Sequence, residues 1–213
     1  LGGNASSRAL VLLDGVPQTD PFFGYVPLPA LVPETLNRIV VTRGGGSGPF
    51  GAGAVAGTIA LESGGPQRLG PVLASGLVND RGGTEASLVA APQIGSGHIL
   101  AYGRWDRGPG FQTTPEDQRV AASVPARFDS VSGGARLVQR AGDTTFALTG
   151  RAFDDRRTLR FDGADSTSRG QDASLRVTHE GTWAVDALAY GQWRNFTNVV
   201  VSSTRVVPVL DQK

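Results

Sequence analysis

The sequence predicts a mainly β fold: a transmembrane antiparallel β-barrel, of which this chain supplies about seven strands, joined to a small mixed α/β domain. Three observations predict this fold. From residue 67 onward, segments of roughly ten residues alternate apolar with polar side chains. Two tryptophans, Trp183 and Trp193, stand ten residues apart on one face of the last such segment. The connections between the segments alternate between short and long.

Residues 1–66 differ in texture from the rest of the chain. They are rich in glycine and proline and hold three apolar runs of strand length, at Ala9–Leu13, Arg38–Val41 and Thr58–Leu61. Turn signals such as Asp14-Gly15 bound these runs. The segment Pro33–Asn37 predicts one short helical turn with proline at its start. We therefore expect a small mixed domain over 1–66 and barrel strands over 67–213.

Seven strands are expected in the second region, near 71–79, 84–92, 98–107, 128–140, 144–155, 171–180 and 183–194. In the last of them, Val185, Ala187 and Ala189 lie between the two tryptophans on one apolar face. Alternation alone fits a half-buried sheet of a soluble protein equally well. Whether lipid or water covers the outer face therefore has to be inferred from other features of the sequence.

The tryptophan spacing and the loop lengths favour a membrane. At ~3.3 Å per residue and a tilt of roughly 40°, ten residues rise about 25 Å, the height of a lipid-facing band between two aromatic girdles. The connections 108–127 and 156–170 are long and those between them are short, as in outer-membrane barrels. We expect Trp105, Trp183 and Trp193 to face outward, with Trp183 at the rim opposite the other two. Five arginines should face the lumen: Arg104, Arg136, Arg151, Arg176 and Arg194.

Composition excludes several function classes. A net charge of +1 gives no electrostatic basis for binding nucleic acid. With no cysteine, the chain has no disulfide, no thiolate zinc site and no thiol nucleophile. The two histidines lie 81 residues apart, and no catalytic motif accompanies them. Gly46–Gly51 matches a dinucleotide fingerprint, but a glycine-rich run follows it in place of a helix. We expect no enzyme activity, no cofactor and no metal site.

Three linked motifs in the first region carry a family resemblance. Leu10–Pro17 (LVLLDGVP) resembles the strand and turn of the plug domain of TonB-dependent outer-membrane receptors. Pro33–Gly44 resembles the family's next conserved segment, although Val40 replaces its usual acidic residue. Gly46–Ile59 continues in register with its glycine-rich run. The residues that the resemblance marks as the plug's structural framework are Asp14, Gly15, Arg38, Arg43, Gly44, Gly51, Gly53 and Gly57.

The resemblance implies a barrel of about 22 strands with a plug inside it, in the outer membrane of a Gram-negative cell. Residues 1–66 would be the carboxyl-terminal part of the plug and 67–213 the first wall strands; the signal peptide and TonB-contacting segment would lie upstream. The implied function is uptake of a scarce ligand, most often a ferric siderophore, with energy from the TonB complex. Outer-membrane lipid is the other expected partner. The alternatives are a passive or adhesive barrel and, behind it, a soluble β-sandwich.

Two sets of plug residues follow from this resemblance. The ligand-facing loops map to 18–25 and 30–34, and the candidate ligand-binding residues there are Gln18, Asp20, Phe22, Phe23, Tyr25 and Glu34. The aromatic rings can stack on a planar or catecholate ligand, or only pack the plug against the wall. Arg38 and Arg43 lie on a strand expected to be buried, so at least one of them should pair with a carboxylate, more readily one from the wall.

Overall fold

The computed structural model describes residues 9–20, 24–44, 54, 56–202 and 208–212, and these form two β-sheets. The smaller sheet has the strand order β2-β1-β4-β3, with β1 and β4 parallel and the other pairs antiparallel. Single 3₁₀ turns, Leu28–Ala30 and Pro33–Thr35, lie between β2 and β3, and the second confirms the helical turn expected there. The strands are β1 (Ala9–Leu13), β2 (Val16–Pro17), β3 (Leu36–Arg43) and β4 (Gly57–Ser63). We call the described residues from 9 to 65 the amino-terminal unit.

The larger sheet, which we call the wall, begins after the short helix α1 (Pro66–Leu69). Its nine strands are antiparallel. Each pairs with the next along the chain, except that β6 pairs with β8 and not with the short β7 between them, which itself pairs with β8. They are β5 (Val72–Val78), β6 (Thr84–Ala90), β7 (Gln93–Ile94), β8 (Gly97–Gly108), β9 (Phe128–Ala141), β10 (Thr144–Thr158), β11 (Asp165–Glu180), β12 (Ala184–Val201) and β13 (Pro208–Gln212). The mainly β fold, an open antiparallel barrel wall with a small mixed domain, is confirmed.

The described helices are short, and none of them has the length and apolar character needed to cross a membrane.

The outer face of the wall is apolar, as the alternation predicts. Trp183 and Trp193 expose 79% and 64% of their surface there, and Trp105 exposes 39%. Trp193 lies in the half of β12 nearer the long connections, and Trp105 lies at a similar level on β8, because both strands run in the same direction. Trp183 precedes β12 at the opposite, short-turn end. The predicted orientation of all three tryptophans is confirmed.

The strands are longer than the alternation indicates. β10 and β11 continue until only residues 159–164 separate them, so the prediction of a long connection over 156–170 is wrong. The reason is that this part of both strands is polar on its two faces, as at Arg156-Arg157 and Ser166-Thr167, which hides the period of two. The backbone pairing of β10 with β11 nevertheless continues through this polar segment, where Arg157 lies opposite Ser166. The long connection over 109–127 is confirmed.

The amino-terminal unit packs its own apolar core and then lies on the inner face of the wall. Val11 of β1, Val26 and Leu61 of β4 form one buried cluster. The tight turn after β1 places Asp14 at φ 50° and Gly15 at φ 87°, the left-handed pair that a two-residue hairpin requires. This turn aims the Asp14 carboxylate back at β4 and at the wall.

We expect Gly57→Ala to destabilise the amino-terminal unit by about 1–3 kcal/mol, because a side chain is strained there. Gly57 has φ 150°, and a Cβ at this position meets the Thr42 carbonyl oxygen at 2.3 Å. Denaturant unfolding of the intact protein, followed by a probe in the unit, measures the loss. Gly150→Ala on β10 is the matched control, because a Cβ there meets nothing within 4 Å. Equal stability of the two variants would contradict the prediction.

Candidate functional site

Arginines on the inner face of the wall form the contact with the amino-terminal unit. One arginine stands on each of five consecutive strands, β8 to β12, and four of the five bond to the unit. We call these residues the inner arginine row: Arg104, Arg136, Arg151, Arg176 and Arg194. Their predicted inward orientation is confirmed. An arginine suits this place because its five donors can serve several acceptors at once.

Arg104 on β8 bridges the two parts of the molecule. Its Nη1 lies 2.5 Å from Glu34 Oε1 of the amino-terminal unit, and its Nη2 lies 2.6 Å from Glu85 Oε2 of β6. Ser87 also donates a hydrogen bond to Glu34 Oε1, at 3.1 Å. All three charged side chains are mostly buried. One guanidinium thus holds two carboxylates that would otherwise repel each other across the interface.

Asp14 is the second connection. Its carboxylate accepts hydrogen bonds from the Ser63 backbone N–H at 2.9 Å and from the Ser63 hydroxyl at 2.6 Å. The same carboxylate pairs with Arg136 of β9 at 2.9 Å. Arg176 of β11 donates to the Asp14 carbonyl oxygen at 3.5 Å. The Asp14-Gly15 turn therefore joins β1, β4 and two wall strands at one point.

Arg151 of β10 is the most buried member of the row, with 3% of its side chain exposed. It donates to Gln18 Oε1 and, at 3.4 Å, to the Ala30 carbonyl oxygen, both in the amino-terminal unit. It also pairs with Asp172 of β11. Asp172 in turn pairs with Arg194, whose guanidinium lies over the Phe153 ring at 5.2 Å. Gln18, itself 2% exposed, is held in this network.

A different group of residues lies at the end of the wall nearer the long connections. Tyr25 of the amino-terminal unit packs against Phe196 of β12, with ring centroids 6.0 Å apart and planes inclined by 38°. On β10, Asp155 pairs with Arg157 at 2.8 Å, and the Arg157 guanidinium lies 5.6 Å from the Phe128 ring centroid. We call these five residues the aromatic site.

The chemistry of the aromatic site is that of donors and ring faces. A backbone hydrogen bond helps to position Tyr25: the Asp20 N–H donates to the Tyr25 carbonyl oxygen at 2.7 Å. Burial raises the pKa of the Tyr25 hydroxyl, the Asp155 carboxylate raises it further, and Arg157 opposes both. The hydroxyl therefore stays protonated and can donate. Arg157 keeps 42% of its side chain exposed and offers positive charge beside it.

The candidate ligand residues divide between these two places. Gln18 and Glu34 bond to the inner arginine row, Tyr25 is in the aromatic site, and the Asp20 backbone bonds to that of Tyr25. Their role in binding a ligand stays a prediction. Phe22 and Phe23, like the framework residues Gly51 and Gly53, lie outside the described residues. Gly44 has φ 94°, the conformation that favours glycine there.

The prediction of burial for Arg38 and Arg43 is wrong. Both side chains are exposed, because β3 is the edge strand of the small sheet and β4 and β1 stand between it and β2. Arg38 pairs at 4.0 Å with Glu62 of the neighbouring strand β4, so its carboxylate comes from within the unit and not from the wall. At 65% exposure of Arg38 this pair contributes little to stability.

Asp155, Arg157 and Phe196 are not among the binding residues predicted from the sequence. Asp155 ends the predicted strand 144–155, Arg157 falls in the predicted long connection and Phe196 lies beyond the last predicted strand, whereas all three lie within strands of the structure. Their inward orientation follows from the period of two once the strands are extended, because Arg157 shares a face with Arg151. Continuing the pattern through the polar segment is the signal that finds them.

Comparison with known proteins shows what the amino-terminal unit is similar to. Residues 1–58 match the sequence family described as the TonB-dependent receptor plug domain. The match covers most of the amino-terminal unit and does not extend to the wall strands. The resemblance expected from the three motifs is thereby confirmed, and we now call the amino-terminal unit the plug. No curated protein matches the chain in sequence.

Solved structures extend the likeness to the wall strands. The chain matches "Copper transporter OprC" with a TM-score of 0.71 and 22% identity over 91% of its length. It matches the FrpB iron transporter from Neisseria meningitidis with a TM-score of 0.67 and 17% identity over 91%. It matches the ferric enterobactin receptor PfeA with a TM-score of 0.63 and 13% identity over 92%. These matches show the fold. The chain spans 31% of the OprC chain and 34% of the other two.

Proposed function

We propose that this chain is part of an outer-membrane receptor that takes up a scarce ligand with energy from the TonB complex, and that the ligand is a ferric siderophore. In this proposal residues 1–66 are plug and 67–213 are wall. The observation that carries the proposal is a plug domain seated on the inner face of a barrel wall, fixed there by the inner arginine row. A plug in this place blocks the lumen, so a ligand passes only when the plug moves.

The strength of the plug contact favours energised uptake over a passive barrel. Arg104, Arg136 and Arg151 each make a charged or buried contact to the plug. Removal of the plug from the wall has to break all of these contacts together, because they lie on three neighbouring strands of one sheet. Work from outside the barrel is therefore needed to displace the plug, and the TonB complex is the partner that supplies it in the proposal.

The aromatic site supports an organic, anionic ligand. Ferric siderophores are metal chelates with oxygen donors and extended planar groups, which suit ring faces and cationic donors. Tyr25 and Phe196 provide rings, the Tyr25 hydroxyl donates, and Arg157 provides positive charge. The chain contains no cysteine and no methionine, so it supplies none of the soft sulfur ligands that select copper(I). The similar proteins are described as a copper transporter, an iron transporter and a ferric enterobactin receptor.

Uptake by cells tests this function. Cells that express the intact receptor in place of their own siderophore receptors are given a panel of ⁵⁵Fe-labelled siderophores, with and without a functional TonB complex. We expect uptake of at least one siderophore and its loss without TonB. Uptake that persists without TonB would support the passive barrel instead. A receptor that binds free iron or copper ions but none of the siderophores would contradict the proposed ligand class.

We expect Arg157→Gln to weaken siderophore binding about tenfold or more, because a charge-assisted hydrogen bond to an anionic chelate contributes about 1.5–3 kcal/mol. Tyr25→Ala, which removes a stacking ring, should have an effect of similar size, whereas Tyr25→Phe keeps the ring and should lose less. Equilibrium binding of the purified receptor measures both. Arg140→Gln is the control: Arg140 lies at the opposite, short-turn end of the wall, and among the described residues its guanidinium bonds only to the Gly142 carbonyl oxygen.

A further inference from the structure

The outer face of the wall carries a groove that the uptake function does not use. Its volume is about 690 Å³, and it crosses strands β9 to β12. Gly133 and Ala152 form its floor, where small side chains leave the backbone close to the surface. Val131 and Trp193 form apolar sides, and both point outward. The space is mainly apolar and open toward the surroundings of the wall.

Charged side chains border this groove on the side of the long connections. Asp154 of β10 pairs with Arg156 at 2.8 Å and with Arg169 of β11 at 3.0 Å. Two guanidinium groups thus share one carboxylate, which leaves a net charge of +1. Arg156 and Arg169 keep 62% and 53% of their side chains exposed. Within the described part of the chain, Asp154 is the only hydrogen-bond partner of either guanidinium.

The position of Trp105 shows at what height on the wall Arg156 and Arg169 lie. Trp105 lies on the same outward face, and its indole N–H donates to Asp129 at 3.1 Å. Asp129 stands directly opposite Arg156 across the β9–β10 pair. Interfacial tryptophans lie at the depth of lipid headgroups in a bilayer. If the wall lies in a membrane, as the proposed function requires, Arg156 and Arg169 lie at the depth of lipid phosphates.

From the groove and the arginine pair together we infer that this face binds a phosphate-bearing membrane lipid, with its phosphate on Arg156 and Arg169 and an acyl chain over Gly133 and Ala152. The unused N–H groups of the two arginines match the oxygens of a phosphate, and bidentate contact is the geometry that arginine favours. The apolar part of the groove, at Val131, Ala152 and Trp193, suits the methylene groups of an acyl chain, which a free phosphate lacks. This inference rests on the membrane location in the proposed function.

The purified intact receptor, in a zwitterionic detergent, tests the site by native mass spectrometry. Dimyristoyl phosphatidic acid and dimyristoyl phosphatidylcholine have the same chains, but the first carries an exposed phosphate and the second a neutral headgroup. We expect the receptor to bind phosphatidic acid about tenfold more tightly. The double variant Arg156→Gln/Arg169→Gln should lose that preference. Equal binding of the two lipids by the wild-type receptor would overturn the inference.

Two further variants separate the groove from the charge. Ala152→Phe fills the groove without changing the arginines, and it should reduce phosphatidic acid binding about tenfold. The double variant Arg119→Gln/Arg140→Gln removes two exposed arginines elsewhere, and it should bind as the wild type does. Heat-dependent mobility on gels confirms that each variant is folded. Binding that is unaffected by Ala152→Phe, or inorganic phosphate that displaces the lipid at equal concentration, would contradict the acyl-chain contact.

The lipid site and the uptake function fail in distinguishable ways. A receptor that takes up siderophore through TonB but binds both lipids equally disproves the lipid site alone. A receptor that prefers phosphatidic acid at this site but transports nothing disproves the uptake function alone. A receptor whose mass shows two copies in place of bound lipid would assign the face to a protein contact and overturn the inference.

Discussion

Replacing Arg151 by methionine is expected to loosen the plug by about 3–5 kcal/mol, because it removes a buried cation whose partners remain. Arg151 exposes 3% of its side chain, and Asp172 beside it exposes 10%. The variant leaves Gln18 without its wall partner and Asp172 with one arginine in place of two. A change of this size raises the open fraction of the plug about a hundredfold or more. Protease cleavage within the plug of the intact receptor measures it.

Arg194→Met is the matched control for this experiment. Arg194 pairs with the same Asp172, but its described bonds and its ring contact are all to wall residues. The substitution Arg194→Met therefore removes a comparable charge from the same cluster without removing a bond to the plug. We expect its plug to stay protected. Equal protection of the plug in Arg151→Met and in the wild type would contradict the role assigned to Arg151.

The period of two predicts most of the wall and the direction of its arginines. Arg104, Arg136 and Arg151 fall on inward positions once each strand is placed. A shift of one residue would move every side chain of a strand to the opposite face, so the inward and outward sets are fixed together. The Asp14-Gly15 turn is equally local, because only the left-handed conformation closes so short a hairpin. Fold and orientation are therefore properties of segments that the sequence shows directly.

The partners of these arginines depend on docking and could not be predicted in the same way. Arg104 and Glu34 are 70 residues apart, and Arg151 and Gln18 are 133 residues apart. Which inward arginine meets which plug residue depends on how the small sheet lies against the wall. The exposure of Arg43 has the same origin, because the apolar pattern of β3 does not reveal that it is an edge strand. Strand order is a tertiary property that a single strand's sequence does not contain.

The aromatic site shows a third limit, which concerns strand ends. In outer-membrane barrels, both faces of a strand meet water or other polar groups beyond the lipid band, so the alternation that marks the strand disappears there. Asp155 and Arg157 lie in such a segment, and they remain paired in the backbone register with β9 and β11. The residues proposed to meet a ligand therefore lie where the sequence pattern is weakest.

Arg104→Gln is expected to loosen the plug by about 2–3 kcal/mol, somewhat less than a fully buried pair, since Glu34 and Glu85 keep 17% and 28% exposure. The substitution leaves two carboxylates, one on the plug and one on the wall, without the cation that separates them. Glu34 Oε2 is also buried without a hydrogen-bond partner, so it gains no compensation. Protease cleavage of the plug should rise by about thirtyfold or more.

Restoring the balance of charge should restore the plug. In the double variant Arg104→Gln/Glu34→Gln the plug carries a neutral amide at the contact, so the repulsion with Glu85 is gone and a hydrogen bond between the two amides can form. We expect the double variant to be more protected than Arg104→Gln alone, which is a coupling that a double-mutant cycle measures. Arg104→Lys keeps the charge but not the two-sided donor geometry, and it should fall between the wild type and Arg104→Gln. If the losses of Arg104→Gln and Glu34→Gln simply add in the double variant, Arg104 acts on the wall alone, and the ion pair with Glu34 does not hold the plug.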